Sequence, residues 1–545
     1  MSHTEHSNTS NTSNTSNTVQ QITFRLMREL NMTKVFGNPG STELNFLNDF
    51  PEDFDYVLAL QEASAVAMAD GYAQATGTAA FVNLHSAAGV GHALGNIFTA
   101  FRNHTPLVIT AGQQSRSILP FAPFLGAERA AEFPKPYVKW SIEPARPEDV
   151  PLAIAQAYHI AMQHPRGPTF VSIPSDDWDK VTVMPHYSKV IEGTTPSPAA
   201  IDQLLKALQP SQNLALVVGS DVDRQGAFET TITLAERLQA QVWEAPYSSR
   251  ASFPQNHPQF AGFLSALPEQ LSQKLAEYDV ILVIGAPVFT LHLPGDMPLF
   301  NSDVAIYQIT DDPMYAASAS ATTTLFGTIA HSIQALLDRL DPLPSNNADI
   351  SATPIRPAAP QVNAATPIPV EYAIDVLSHA RPADAIIVEE APSHRPAIQR
   401  FLPIIQANGF YTMASGGLGY ALPAAVGVAL ATDKRVICVI GDGSSMYSIQ
   451  AIWTAVQLNL PVTVIVFNNS GYGAMHSFSK IMKNKSIPGL DLPDIDFVQL
   501  AKSMGCNGSR VSQHEQLAEA INTALDEPSS YLLEIIVDPN TGAIY

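Results

Sequence analysis

Short apolar runs, each closed by glycine or a polar residue, alternate along this chain with stretches whose apolar positions recur at helical spacing. The first group of runs lies at 56–60, 79–85, 106–112 and 169–174, with helical patterns at 63–75 and 89–102 between them. A second group lies at 214–219, 241–245, 280–285 and 305–309, and a third at 385–389, 436–440, 462–467 and 531–536. Short buried strands that alternate with helices build a parallel, doubly wound sheet. The pattern therefore predicts an α/β fold with three doubly wound parallel-sheet domains, over 19–185, 195–340 and 370–545. A polar, proline-bearing break at 186–199 parts the first two domains, and 341–369, rich in Pro, Ala and Asn, is the expected linker before the third. Residues 1–18 carry an Asn-Thr-Ser repeat that has nothing to bury, and are expected to form a disordered tail.

Composition narrows the function classes. The 545 residues exceed what one core supports, and at 46% hydrophobic and 14% charged most of the chain can fold. The low charged fraction also points to a large subunit interface. A net charge of -21 argues against a nucleic-acid binder, which needs a basic face. The two cysteines, Cys438 and Cys506, support neither a disulfide framework nor a cysteine metal site, and Cys438 reads as a core residue within a strand. Glycosylation-type triplets begin at Asn8, Asn11 and Asn14, but no apolar signal segment precedes them, so a cytoplasmic protein is expected. No stretch approaches the roughly 18 apolar residues that span a bilayer. The chain has no G-x-x-x-x-G-K-[ST] loop, and its middle domain has no G-x-G-x-x-G after its first strand, which disfavours a simple nucleotide hydrolase or dehydrogenase.

The most specific chemistry lies in the third domain. The run at 436–440 ends in Gly441-Asp442-Gly443-Ser444, and the run at 462–467 ends in Asn468-Asn469-Ser470-Gly471-Tyr472. Both clusters sit at carboxyl ends of strands, where open α/β sheets bind ligands. Asp442 offers a charged oxygen, Asn469 a neutral one, and the Gly471 carbonyl a third, a set suited to Mg²⁺ that completes its shell with water and phosphate. Glycines let backbone N–H groups such as those of Gly443 and Ser444 approach phosphates at a helix start. Gly-Asp-Gly alone would be no more than a tight turn. Paired with Asn-Asn at the next strand end, it resembles the thiamine-diphosphate signature of the pyruvate-decarboxylase-like enzymes.

The resemblance narrows further, to the benzoylformate decarboxylase branch of that family, and runs with few gaps from about Val35 to about Pro539. It is carried by VFGNPGS (35–41), NLHSAAG (83–89), the GQQ within 107–114, VKWS (138–141), DDWD (176–179), VIGAPVF (283–289) and PGLDL (488–492). It implies thiamine diphosphate with Mg²⁺, or Ca²⁺ in its place, and a homo-oligomer, at least a dimer and by expectation a tetramer, with the cofactor between domains of two subunits. Glu62, which by itself reads as a helix-start glutamate, would be the carboxylate against the aminopyrimidine. Peptide groups near Gly416 would bond that ring, and Leu418 would wedge between the two cofactor rings. Tyr472 and Ser393 would complete the cofactor site. Ser41, otherwise a helix N-cap, would hold the substrate carboxylate. His85 and His292, each bland alone, match the family's pair of proton-transferring histidines.

The implied reaction is loss of CO₂ from an aromatic 2-keto acid, benzoylformate giving benzaldehyde, with aldehyde coupling as a side activity. Phe124, Leu125, Ala474, Met475 and Phe478 keep an apolar edge suited to a phenyl ring, though such a cluster also reads as core. His476, Ser477, Glu389 and Pro392 depart from Arg, Trp, Asn and Thr of the best-matched members, and bear on which keto acid is taken. Two other thiamine-dependent readings stand beside this one: a decarboxylase of aliphatic keto acids, which typically carries paired histidines where His85 is followed by Ser86, and an acetohydroxyacid-synthase-like enzyme, marked by flavin in the middle domain. A non-catalytic cofactor-binding scaffold is a further alternative from a different class.

Overall fold

The computed structural model describes residues 17–540 except 192, 296–298, 301–303, 322 and 341–355. The expected tail therefore lies outside the described residues, apart from Asn17 and Thr18, and so does the first half of the expected linker. Asn17–Thr18 pair antiparallel with Val181–Thr182. Thr18 then caps the helix Val19–Glu29, its hydroxyl accepting from Gln21 N–H while the Gln21 side chain accepts from Thr18 N–H.

Three six-stranded sheets follow in chain order. The first contains β1 (Lys34–Gly37), β2 (Asp55–Leu58), β3 (Ala80–Leu84), β4 (Leu107–Gln113), β5 (Trp140–Ile142) and β6 (Thr169–Pro174), in the order β2-β1-β3-β4-β6-β5. The second contains β7 (Leu214–Val218), β8 (Gln241–Glu244), β9 (Phe260–Phe263), β10 (Val280–Ile284), β11 (Ala305–Thr310) and β12 (Thr323–Phe326), in the order β9-β8-β7-β10-β11-β12. The third contains β13 (Ile386–Glu390), β14 (Phe410–Thr412), β15 (Val436–Gly441), β16 (Val462–Asn468), β17 (Asn507–Val511) and β18 (Tyr531–Ile536), in the order β14-β13-β15-β16-β18-β17. Every pairing within these three sheets is parallel. The first and third sheets share one strand order; the middle sheet has another.

Of the predicted strands, β3, β15 and β16 are buried almost throughout, whereas β2 and β8 are only partly buried. Cys438 is fully buried in β15. The helix expected after Ser445 forms at Ala451–Gln457, and a further short helical turn, Asp442–Ser445, precedes it.

A close helix pair joins the first domain to the third. The helix Glu62–Thr76 lies against the helix Ala421–Ala429 with backbones nearly touching. A methyl group on Gly71 would sit 2.2 Å from the Ala424 carbonyl oxygen, and one on Gly427 would sit 1.8 Å from that of Met68. Alanine-rich surfaces on both helices complete a shared core.

Candidate active site

The third-domain cluster forms around Asp442, which is nearly buried where β15 passes into its short helix. Asp442 Oδ1 accepts from Gly443 N–H at 2.7 Å and Oδ2 from Gly471 N–H at 2.9 Å, so the two strand ends are tied through one carboxylate. Burial pushes this carboxyl up to about 6, against backbone N–H bonds from Gly443, Gly471 and Ser470. The Asn469 amide turns one atom toward Asp442 Oδ1 at 3.3 Å and the Gly471 carbonyl at 3.0 Å. As a nitrogen that atom would donate to both; as an oxygen it would complete a set of three oxygens facing one point. A hard cation satisfies three oxygens equally well, and the chemistry of this donor set fits Mg²⁺ or Ca²⁺. Among the described residues no cluster of three His, Cys, Asp or Glu side chains offers a softer site.

The surrounding backbone is crowded by design of the turn. A side chain on Gly443 would meet the Tyr472 ring at 2.5 Å, and one on Gly471 would meet the Leu490 carbonyl at 2.6 Å. Tyr472 N–H donates to Leu490 O, and Leu492 N–H to Ser470 O, which folds 490–492 over the strand end. Ser393 Oγ accepts from Ala474 N–H at 2.9 Å.

A cavity of about 1620 Å³ opens above this cluster and reaches into the middle domain. Asp442, Gly443, Ser444, Asn469, Gly471 and Tyr472 line one part of it, with Ser393, Gly416 and Leu418. Ala474, Met475 and Phe478 line another part, and His292 arrives from the middle domain. The His292 and Phe478 rings meet edge to face at 4.8 Å between centroids. Gly416 has φ +74, a left-handed backbone that suits glycine.

The first-domain candidates gather elsewhere. His85 precedes the helix Ser86–Arg102, and its Nδ1 lies 2.9 Å from Glu43 Oε2 and 3.1 Å from Thr42 Oγ1. Its ring rests on Gly40, where a methyl group would come within 2.1 Å of Nδ1. Glu62 opens its helix, with Oε2 3.2 Å from His92 Nδ1. Gly89 separates Glu62 from His85, and a side chain there would touch both at 3.4 Å. Ser41 is exposed in the turn beside them; it caps no helix, since the next one is Leu44–Leu47 with Glu43 at its N-cap. None of Glu62, His85 and Ser41 lines the large cavity, and neither do Phe124 and Leu125. Phe124 is 87% exposed. One protomer thus assembles Ala474, Met475 and Phe478 as a wall but leaves Phe124 and Leu125 apart from it.

Three residues that carry the geometry were not read from the sequence. Glu43 is buried and accepts from Gly40 N–H, Gly112 N–H and the Thr42 hydroxyl as well as facing His85. Glu390 is buried at the end of β13 and accepts from the N–H groups of Gly419, Tyr420 and Ala421, each at 2.7 Å. Tyr247 places its hydroxyl 2.7 Å from His292 Nδ1. The paired Glu389-Glu390 at the end of an apolar run was the one available signal. Glu389 itself turns into an ion pair with Arg395 and accepts from Thr412 Oγ1. Of the other departures, Pro392 lines the cavity, His476 Nε2 lies 3.1 Å from Asp491 Oδ1, and Ser477 is buried.

Three family models match the chain in order: thiamine pyrophosphate enzyme N-terminal TPP binding domain over residues 17–129, central domain over 201–336, and C-terminal TPP binding domain over 391–535. The chain is 41% identical over 528 residues to a benzoylformate decarboxylase of Pseudomonas aeruginosa, covering 95% of this chain and 98% of that one. It is similar to the crystal structure of benzoylformate decarboxylase from Polynucleobacter necessarius, with TM-score 0.93 and 40% identity over 96% of this chain and 99% of that one. It also matches a thiamine diphosphate-dependent 4-hydroxybenzoylformate decarboxylase of Rhodococcus jostii RHA1, with TM-score 0.92 and 38% identity over 96% of this chain and 100% of that one. The chain belongs to the thiamine pyrophosphate enzymes and, within them, to the benzoylformate decarboxylase family.

Proposed function

We propose that this protein decarboxylates an aromatic 2-keto acid, benzoylformate or a ring-substituted form of it, to the aldehyde and CO₂, with thiamine diphosphate as cofactor. The observation that carries the reading is one cavity that joins the Asp442–Asn469–Gly471 oxygens, His292 and the apolar wall of Ala474, Met475 and Phe478. Such a wall takes a phenyl ring beside a charged head.

When bound, thiamine diphosphate supplies a nucleophilic carbon and a sink for the electron pair left by CO₂. Asp442, Asn469 and the Gly471 carbonyl would hold Mg²⁺ or Ca²⁺, and the N–H groups of Gly443 and Ser444, with Ser393 and Tyr472, would hold the diphosphate. Peptide groups at Gly416 and the Leu418 side chain would fix the ring end. Glu62 would hold a proton against the aminopyrimidine, Ser41 would hold the substrate carboxylate, and His85 and His292 would move protons at the reacting carbon and oxygen.

Since Glu62, His85 and Ser41 do not line their own protomer's cavity, the reading requires a second copy to supply them, in a dimer or a tetramer of two such dimers. Exposed apolar side chains rim both halves: Leu44, Phe121 and Phe124 on one, Met446, Met475 and Met482 on the other. Phe124 and Leu125 would reach the substrate wall across that interface, and aldehyde coupling would be a side activity of the same site.

The crevice where the middle domain's strand order reverses between β7 and β10 offers little room for a flavin, and the open space along this domain belongs to the large cavity. Asp221, Arg224, His104 and Tyr315 fill that crevice and leave a cavity of about 50 Å³, where small-molecule sites run to about 300 Å³ or more. Loss of benzoylformate, compared with pyruvate and a branched-chain keto acid in the presence of thiamine diphosphate and Mg²⁺, tests the proposal. Benzaldehyde formed with clear preference for benzoylformate supports it. Preference for an aliphatic acid overturns the substrate class and leaves the cofactor chemistry in place.

A further inference from the structure

We infer that Tyr247 is a positioning residue for His292: its hydroxyl fixes Nδ1 and so makes Nε2 the ring nitrogen that gives and takes the proton. The inference rests on the proton-transfer reading of His292 given above.

Tyr247 stands in the turn Ala245-Pro246-Tyr247-Ser248 that leaves β8. Its φ is +56, in the left-handed region that a bulky residue rarely occupies. The turn is held there from several sides. Ala245 N–H donates to Val218 O at 2.8 Å and Ser248 N–H to Ala245 O at 3.3 Å. Ser249 N–H donates to Ser220 Oγ, and Ser248 Oγ to Arg250 O, both at 2.7 Å. A strained conformation that its surroundings over-determine is a recurrent mark of a working position.

The strain aims the phenol at His292. Tyr247 Oη lies 2.7 Å from His292 Nδ1, and the two rings meet at 72°. The His292 backbone is pinned separately, its N–H donating to Ala266 O at 3.0 Å, and Phe478 from the third domain closes on the ring edge to face. Tyr247, His292 and Phe478 all line the cavity that holds the Asp442 cluster. A phenol hydroxyl can accept from Nδ1–H or donate to a bare Nδ1, so the bond persists in either protonation state of the imidazole. Tyr247 therefore keeps the ring in one orientation through proton release and recapture.

The test is Tyr247→Phe in the cofactor-loaded enzyme, with Tyr247→Gly as the second variant. Expected for Tyr247→Phe is a kcat lower by about tenfold, the factor that one ordinary hydrogen bond carries, with KM within about twofold of the parent by the same reasoning. The ¹⁵N signals of His292, assigned by comparison with His292→Ala, should shift as the Nδ1 hydrogen bond is lost, and the pH profile of kcat should change shape. Tyr247→Gly removes both the phenol and the backbone strain; it should melt no lower than the parent and lose activity as Tyr247→Phe does. Unchanged ¹⁵N signals in Tyr247→Phe, or parental kcat in either variant, overturns the inference. His292→Ala separates the two levels: normal turnover there removes the role of His292 itself, whereas an impaired His292→Ala beside a normal Tyr247→Phe removes only the role of Tyr247.

Discussion

The first and third sheets have the same strand order, and each carries a buried glutamate that follows its first strand: Glu43 beyond β1 and Glu390 at the end of β13. Both gather backbone N–H groups from loops at the strand ends. They differ in what lies at the end of the chain of bonds. Glu43 finishes on the imidazole of His85, whereas Glu390 bonds only to backbone, at the start of the helix that follows Gly416–Gly419. One strand order thus places a buried carboxylate near the end of a corresponding strand twice, and the partner opposite differs: a histidine in one case, a loop's backbone in the other. A carboxylate can only accept, so Glu43 would hold Nδ1–H of His85 and leave Nε2 for the proton exchange proposed for it. Glu390 has no such partner, and burial pushes its carboxyl up to about 7 despite three N–H bonds.

The comparison can be broken at four places. The largest effect is expected at Glu62, which shares the first domain's strand-end surface with His85: Glu62→Gln should lower kcat by about 10³-fold while thiamine diphosphate still binds, measured by turnover alongside cofactor titration. Near-parental turnover would remove Glu62 from the chemistry. Glu43→Gln should lower kcat by about 10²-fold, with cofactor affinity kept, because it loosens the orientation of His85. A loss of cofactor affinity instead would make Glu43 equivalent to Glu390.

Glu390 should act through stability. Its folded-state pKa lies above the ordinary value, so its contribution is full below about pH 4.5 and is lost as pH rises through about 7. Thermal melts of the parent should therefore fall across that window from this group, and Glu390→Gln should flatten that slope. An unchanged slope would mean that the group stays ionised. The smallest effect is expected at Thr42, whose hydroxyl donates to Glu43 at 2.6 Å. Thr42→Val should cost about 1 kcal/mol and a few-fold in kcat, read from melts and initial rates.

Legibility in the sequence followed the range of the interactions. Strands buried on both faces, such as 436–440 and 462–467, announce themselves by unbroken apolar runs. β5, β14 and β17 do not, because they are short edge strands with partly exposed residues. The Asp442 cluster was legible because two neighbouring strand ends in one stretch of chain supply it. Glu43 and His85 are 42 residues apart, Tyr247 and His292 are 45 apart, and Glu390 and Gly419 are 29 apart. No local spacing encodes such partners; only the sheet order brings them together. Phe124 and Leu125 are expected beside Phe478 from the family resemblance, and within one chain the fold keeps them away.

The close seam between Glu62–Thr76 and Ala421–Ala429 has a mechanical consequence. Glu62 begins one of these helices, and the Gly416–Gly419 loop leads into the other, so the carboxylate and the loop proposed to serve the cofactor ride on one close joint. In the proposed dimer those two parts serve different sites. In that dimer, a shift of the loop in one site would be carried by the joint into the placement of Glu62 in the other, and the two centres would share a lever.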